Sequence, residues 1–390
     1  MSSNYCISEL GVFYLSLYYN FIMQILLSLF YYFYFSVVGV YVIFVPKVLA
    51  DVGYSAIEIG LILGASPLVR FILPFLFMRG LQLNSKIFNF ALVVMSLSAV
   101  SFYFSVYDFY KLLFSNIFLG VGLSLILPYI EFISLQVIGK ERYGKIRLFG
   151  SIGFILISLI LVNFLSESTE ALKALLLLTL ITAVVAFIIV RFRDKERVVE
   201  KKVQKNDINL LKDYKLWGGL ILMQMSFGSF YNFFTIYSTD NGIKLDMTIY
   251  LWSFGVVFEI VMFFFQAKLL RKNLLAVLKF TTFITAIRWL LVFSFADSLG
   301  VLFFTQSLHA LSFALFHSAS ISYLHFLYKN KTLAQQFFSG ITYGLGGLSG
   351  AIIAGYIYEW YPEYLFLSSS IMAFGAFFFL SLWEREVKER

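Results

Sequence analysis

Long apolar runs separated by short polar breaks set the rhythm of this chain. The runs lie near 22–45, 56–78, 86–106, 111–138, 146–165, 170–191, 215–238, 248–267, 275–295, 299–327, 333–358 and 362–383. Each is close to or above the ~20 residues that a helix needs to cross a hydrocarbon core. Twelve membrane-spanning helices are predicted. The only long polar stretch, RFRDKERVVEKKVQKND within Arg191 to Lys215, divides them into two sets of six. The expected organisation is an N-terminal bundle at 1–192, a cytoplasmic linker at 193–214 and a C-terminal bundle at 215–390.

The polar breaks alternate in charge. Even-numbered loops are basic, with Arg79 and Lys86, then Lys140, Arg142, Lys145 and Arg147, then the central run, Lys268, Arg271 and Lys272, and finally Lys329 and Lys331. Odd-numbered loops are neutral or acidic, with Lys47, Asp51 and Glu58, then Asp108 and Lys111, then Glu167, Glu170 and Lys173, then Asp240, Lys244 and Asp246, then Asp297, and finally Glu359 and Glu363. Lysine and arginine mark the cytoplasmic side, so the even loops and both termini are expected inside, with the basic residues against anionic lipid.

Composition agrees. Of 390 residues 60% are hydrophobic and 13% charged, against about 25% charged in an ordinary soluble domain. The net charge of +8 belongs to orienting loops; a nucleic-acid groove would need a basic stripe on one face. The single cysteine, Cys6, excludes an intramolecular disulfide and any cysteine-based metal cluster. Met1 to Asn20 contains Glu9 and no lysine or arginine, so it lacks the basic start of a signal peptide. Met23 offers an alternative start.

Four charged residues interrupt the apolar runs: Arg70, Glu131, Glu259 and Arg288. An ionised side chain at the bilayer centre costs roughly 2.5–3.5 kcal/mol even on the lenient insertion scale. Arg70, Glu131 and Glu259 each precede a basic inner end (Arg79, Lys140, Lys268) by nine residues, or about 14 Å of helix. Arg288 follows Lys279 by nine and Lys272 by sixteen. All four thus share a mid-membrane depth, where opposite charges should pair. Glu259 with Arg288 and Glu131 with Arg70 are the expected pairs, serving either a solute and proton path or helix packing alone. Arg70 is also near enough to the inner face to snorkel. A faint echo aligns Gly64 with Gly255 and brings Arg70 close to the counterpart of Glu259.

All three histidines lie in one run, QSLHALSFALFHSASISYLHF, as His309, His317 and His325. Their spacing of eight makes them spiral, unlike a chelating i,i+4 pair, and no metal site is expected. His309 and His317 are candidates for a proton or solute path, with a helix-packing hydrogen bond as the alternative; packing is expected for His325. Gly340, Gly344, Gly346, Gly347, Gly350 and Gly355 predict a tight, sliding contact for the eleventh span. Gly150 and Gly153, with Gly144, are expected to pack the entry of the fifth.

YGKIRLFGSIGF, LWSFGVVFE, IRWLL, QSLHALSFALFHSASISYL and QQFFSGITYGLGGLSGAIIAGYIYE, in that order, resemble the phenylpropionate-permease-like branch of the major facilitator superfamily, akin to lactose-permease and nucleoside proton symporters. The resemblance implies an all-α integral membrane protein with two pseudo-symmetric six-helix bundles, cycling by alternating access as a proton symporter in a bacterial cytoplasmic (inner) membrane. It implies importance for Glu259, Arg288, His309 and His317, and an acidic residue at the position of Glu131. FMRGLQ departs from the family's acidic–Arg–Gly loop, since Met78 precedes Arg79.

The expected function is proton-driven import of an aromatic acid, nucleoside or sugar by a monomer, with no cofactor beyond the proton gradient. Glu259, Glu131 and His317 are assigned to proton coupling, and Arg288, His309, His317 and Glu131 to the solute. Arg70, Arg79, Arg142, Arg147, Gly344 and Gly347 are assigned to structure and gating, with Arg142 and Arg147 as a cytoplasmic latch. Tyr31, Tyr32 and Tyr34 face either the solute or lipid. The alternative is a sensor or scaffold of the same fold without transport. An intramembrane transferase would need a nucleophile–base or metal–carboxylate constellation, and the sequence contains neither.

Overall fold

The computed structural model describes residues 2–81, 83–165, 167–193, 208–271 and 273–389, with the backbone alone for 2–17, 140 and 141. Among the described residues every regular element is helical. The first crossing joins α1 (Ser2–Ile43) to α2 (Val45–Val52). Then follow α3 (Ala56–Met78), α4 (Ser85–Phe104), α5 (Phe109–Ile138), α6 (Lys140–Phe164) and α7 (Glu170–Phe192). The seventh crossing is α8 (Tyr214–Ser226) plus α9 (Gly228–Asp240), and α10 (Leu245–Leu269) and α11 (Leu274–Ser294) come next. The tenth is α12 (Leu299–Ser307), a π-helical segment at Ala310–Leu315 and α13 (Phe316–Leu327). The eleventh is α14 (Lys331–Phe337), a π-helical segment at Phe338–Gly346 and α15 (Gly347–Trp360), and α16 (Leu365–Glu389) is the last.

Eleven of these crossings are continuous, long and apolar enough to span a membrane; the interrupted α8–α9 supplies the twelfth. Large apolar side chains such as Phe90, Leu97, Phe104 and Phe264 face outward, as a lipid-covered surface requires. The polar breaks do local work as caps. Ser55 accepts from the Glu58 amide while the Glu58 carboxylate accepts from the Ser55 amide, a reciprocal box starting α3. Asn84, Asp108 and Asn273 cap α4, α5 and α11.

Two details differ from the sequence expectation. The seventh crossing breaks at Phe227, where Gly228 lies so close to Gly350 that an added Cβ would sit 2.3 Å from its backbone. The fourth loop also shrinks to Gly139, because α6 already begins at Lys140. Arg142, Lys145 and Arg147 therefore lie on a helix instead of a loop. The predicted linker falls mostly on 194–207, outside the described residues, as do the side chains of Lys140 and Lys272.

In the first half α1 packs on α6 and α7, and α5 on α3 and α4; in the second, α16 packs on α8 and α11. Two seams join the halves: α3 against the eleventh crossing, and α6 against α10. Glycine makes the first seam possible. A Cβ on Gly60 would lie 2.6 Å from the Ala351 carbonyl oxygen, and one on Gly344 would lie 2.4 Å from the Phe71 nitrogen. Only backbones without side chains there approach so closely. Gly153 does the same between α6 and the Tyr32 backbone of α1, Gly150 leaves room for the Phe35 ring, and Gly144 faces open space.

Candidate functional site

Between the seams lies a cavity of about 430 Å³. Both halves line it: Tyr34 and Phe35 of α1, Ser66 and Arg70 of α3, and Arg147 and Ser151 of α6 on one side. Opposite stand Gln224, Tyr231 and Asn232 of the broken seventh crossing, Trp252 and Glu259 of α10, Gln306, His309 and Phe313 of the tenth, and Tyr343 and Gly347 of the eleventh. Arg70 and Glu259, one from each half, thus face the same space.

Arg288 is fully buried and does not line the cavity. Its Nη1 donates to Ser312 Oγ at 2.9 Å and approaches His309 Nδ1 at 3.1 Å, and Nη2 donates to Gln306 Oε1 at 3.1 Å. Trp289 and Phe230 cover the guanidinium, with ring centroids at 4.3 and 4.6 Å. Gln306, His309 and Ser312 recur at intervals of three on one face, and the π-helical segment begins directly after His309. Helical irregularities of this type recur at functional sites.

The expected Glu259–Arg288 ion pair is not formed. His309 stands between them, its Nε2 3.6 Å from Glu259 Oε2 and its Nδ1 on Arg288. Arginine has no acceptor, so Nδ1 must present its lone pair and the ring proton sits on Nε2, toward Glu259. One imidazole thereby links a buried guanidinium to a carboxylate at the cavity wall. Assigning Arg288 to direct solute contact is corrected too: His309 and Gln306 screen it from the cavity.

The other expected pair also changes partners. Glu131 meets Arg147, not Arg70: Arg147 Nε lies 3.9 Å from Glu131 Oε1, and the Tyr143 hydroxyl donates to the same oxygen at 3.2 Å. The cause is the early start of α6, which carries Arg147 seven residues, about 10 Å, up the helix. Its guanidinium stacks on Phe35 at 3.9 Å and faces Tyr31 at 5.5 Å. Arg147 is therefore a cavity residue, not part of a cytoplasmic latch. Glu131 lies behind it, outside the lining. Arg79 and Arg142 are exposed, and neither has an ion pair among the described residues.

His317 also stands one shell back, with Nδ1 2.7 Å from the hydroxyl of Tyr343, which itself lines the cavity. His325, near the end of α13, lies outside the lining. Of Tyr31, Tyr32 and Tyr34, Tyr34 alone lines the cavity, its hydroxyl donating to the Leu123 carbonyl at 3.0 Å, and Tyr41 further along α1 joins it in the lining. Tyr31 is buried against Ser134 and Arg147, and Tyr32 is half-buried outside the lining. Sequence reading missed Gln306 and Ser312, although their spacing from His309 was visible. It also missed Gln224, Tyr231, Asn232 and Trp252, which no charge sets apart from other membrane-spanning residues.

Comparison with known proteins fits this architecture. The chain is 24% identical over 367 residues to a probable 3-phenylpropionic acid transporter of Escherichia coli (strain K12), covering 90% of this chain and 96% of the relative. An uncharacterized transporter of Bacillus subtilis (strain 168), YwbF, is 24% identical over 277 residues, covering 67% and 68%. Among solved structures, a mutant form of the nucleoside transporter NupG superposes with a TM-score of 0.77 at 14% identity, covering 93% of this chain and 99% of that one. A bacterial homolog of the human lysosomal transporter Spinster, inward-facing and occupied, gives 0.70 at 13%, covering 94% and 97%. The model of the MFS_1 like family matches residues 24–368, and with twelve crossings closing on a two-sided cavity the chain belongs to that family of major facilitator transporters.

Proposed function

We propose that this transporter is a proton symporter that imports a small organic solute across a bacterial cytoplasmic membrane by alternating access. The observation that carries the reading is the chain Glu259–His309–Arg288 at the cavity wall. Glu259 is the only described acidic residue that lines the cavity, so it exchanges protons with the same water that admits solute. Arg288, locked behind aromatic rings, holds His309 in the tautomer that offers its proton to an ionised Glu259. When Glu259 takes up a proton, that contact loses its charge and the α10 wall is released from the tenth crossing. Protonation also spares the bilayer centre a moving carboxylate.

Size and lining support an organic solute. A volume of about 430 Å³ is in the range that holds a small molecule, and rings from Phe35, Tyr231, Trp252 and Phe313 offer stacking surface. A phenylpropionate and a nucleoside, which two of the relatives are named for, both suit that range. The even loops and both termini face the cytoplasm in this reading, the two six-helix sets move as units about the linker, and the monomer is the working unit.

Proteoliposomes test the coupling. Solute accumulation should require an inward proton gradient, and Glu259→Gln should abolish accumulation while preserving solute counterflow. Equal accumulation with and without the gradient refutes proton symport.

A further inference from the structure

Among the charges at the cavity wall and directly behind it, one has no opposite. Glu131 lies against Arg147. Glu259 is joined through His309 to Arg288. Arg70, which points into the same space from α3, has no carboxylate within 4.0 Å and no side-chain hydrogen bond among the described residues. The five groups therefore carry three positive charges against two negative ones.

Arg70 is also held in place. The next turn of α3 packs against the glycines of the eleventh crossing, with Phe71 at Gly344 and Pro74 at Gly340. The Arg70 carbonyl oxygen lies 3.1 Å from where a Gly340 Cβ would stand. This backbone cannot slide to bring the guanidinium to the inner interface without opening the seam. A cation held at mid-membrane depth with no counter-charge is costly, and a mobile anion removes that cost when it binds. A guanidinium presents a fork matched to a carboxylate, and its hydrogen bonds to a charged partner are the strong ones.

We propose that Arg70 is the receptor for the solute's own negative charge, and that the cavity is built for a monoanionic organic acid. The carboxylate lies on Arg70, and the apolar body lies toward Phe35 and Trp252. A neutral sugar or nucleoside would leave Arg70 unmatched. This inference rests on the cavity being the transport path but needs no proton coupling. One proton on Glu259 per monoanion would make import electroneutral.

The test measures binding by thermal shift and tryptophan fluorescence of the purified protein in detergent, with no gradient present. Benzoate, 3-phenylpropionate and 4-hydroxyphenylacetate are compared with their neutral amides, with uridine and with lactose. At least one acid should bind, with its amide about tenfold weaker or more. Arg70→Gln should reduce that acid-over-amide preference to near unity, and Arg70→Lys should restore part of it, whereas a purely structural role would lower both affinities together. The proposal is overturned if uridine or lactose binds and the acids do not, or if Arg70→Gln keeps the wild-type preference. Loss of gradient dependence in vesicles, with the preference intact, would count against symport and leave Arg70 standing.

Discussion

A guanidinium sealed from solvent needs partners for most of its donors, and Arg288 shows how, with Nε alone left without an acceptor among the described residues. Three acceptors meet its edge and two aromatic faces cover its plane. Arg288→Ala should therefore destabilise the fold, at roughly 1–3 kcal/mol for each acceptor left without its donor, read as a lowered midpoint of thermal unfolding in detergent. Arg147 contrasts with it. About a third of its side chain is exposed, and its carboxylate partner stands at 3.9 Å. A pair so open and so long contributes little to stability. Arg147→Ala should leave the unfolding midpoint close to wild type while weakening solute binding through the lost stacking on Phe35. Equal thermal losses in both variants would contradict this division between a structural and a cavity-facing arginine.

At the scale of elements, the seam between α3 and the eleventh crossing combines close backbone contact with a polar fastening. Phe71 leaves no room for a side chain at Gly344. Gly344→Ala would force the helices apart by about 1 Å to restore ordinary contact distances, so transport should fall sharply while expression persists. At the other end Glu359 reaches from α15 across the seam, its Oε2 accepting from the amides of Ala56 at 2.7 Å and Ile57 at 3.4 Å. A carboxylate over these first amides of α3 is favoured by the helix dipole by about 0.3–1 kcal/mol. Glu359→Gln should loosen that end. Maleimide labelling of Ile57→Cys in a Cys6→Ser background should then rise several-fold; unchanged labelling would mean the fastening contributes nothing to closure.

For the whole molecule, orientation is the property that charge alone implies. Basic residues cluster at one set of helix ends, so cysteines introduced at Lys86 and at Asn241 should be labelled from opposite sides of sealed vesicles, with Lys86 inside. Labelling of both from one side would overturn the alternating topology.

The crossings were legible because hydrocarbon accepts only apolar, internally hydrogen-bonded segments, so length and hydropathy suffice to locate them. Mid-membrane charge was legible for the same reason: Arg70, Glu131, Glu259 and Arg288 stand out against an apolar background. Glycine spacing along the eleventh crossing likewise announced close packing. Partner choice was not legible. Depth counting put opposite charges at one level, but two helices at equal depth meet only if their faces and azimuths agree. Rotation, set by glycine contacts, by the early start of α6 and by the π-helical turn after His309, placed His309 between Glu259 and Arg288 and gave Glu131 to Arg147. The sequence by itself determined how many times the chain crosses and which residues are too costly to keep there without reason. Only the tertiary structure decided which of them touch, because lateral packing depends on side-chain volumes from distant segments that no one-dimensional pattern records.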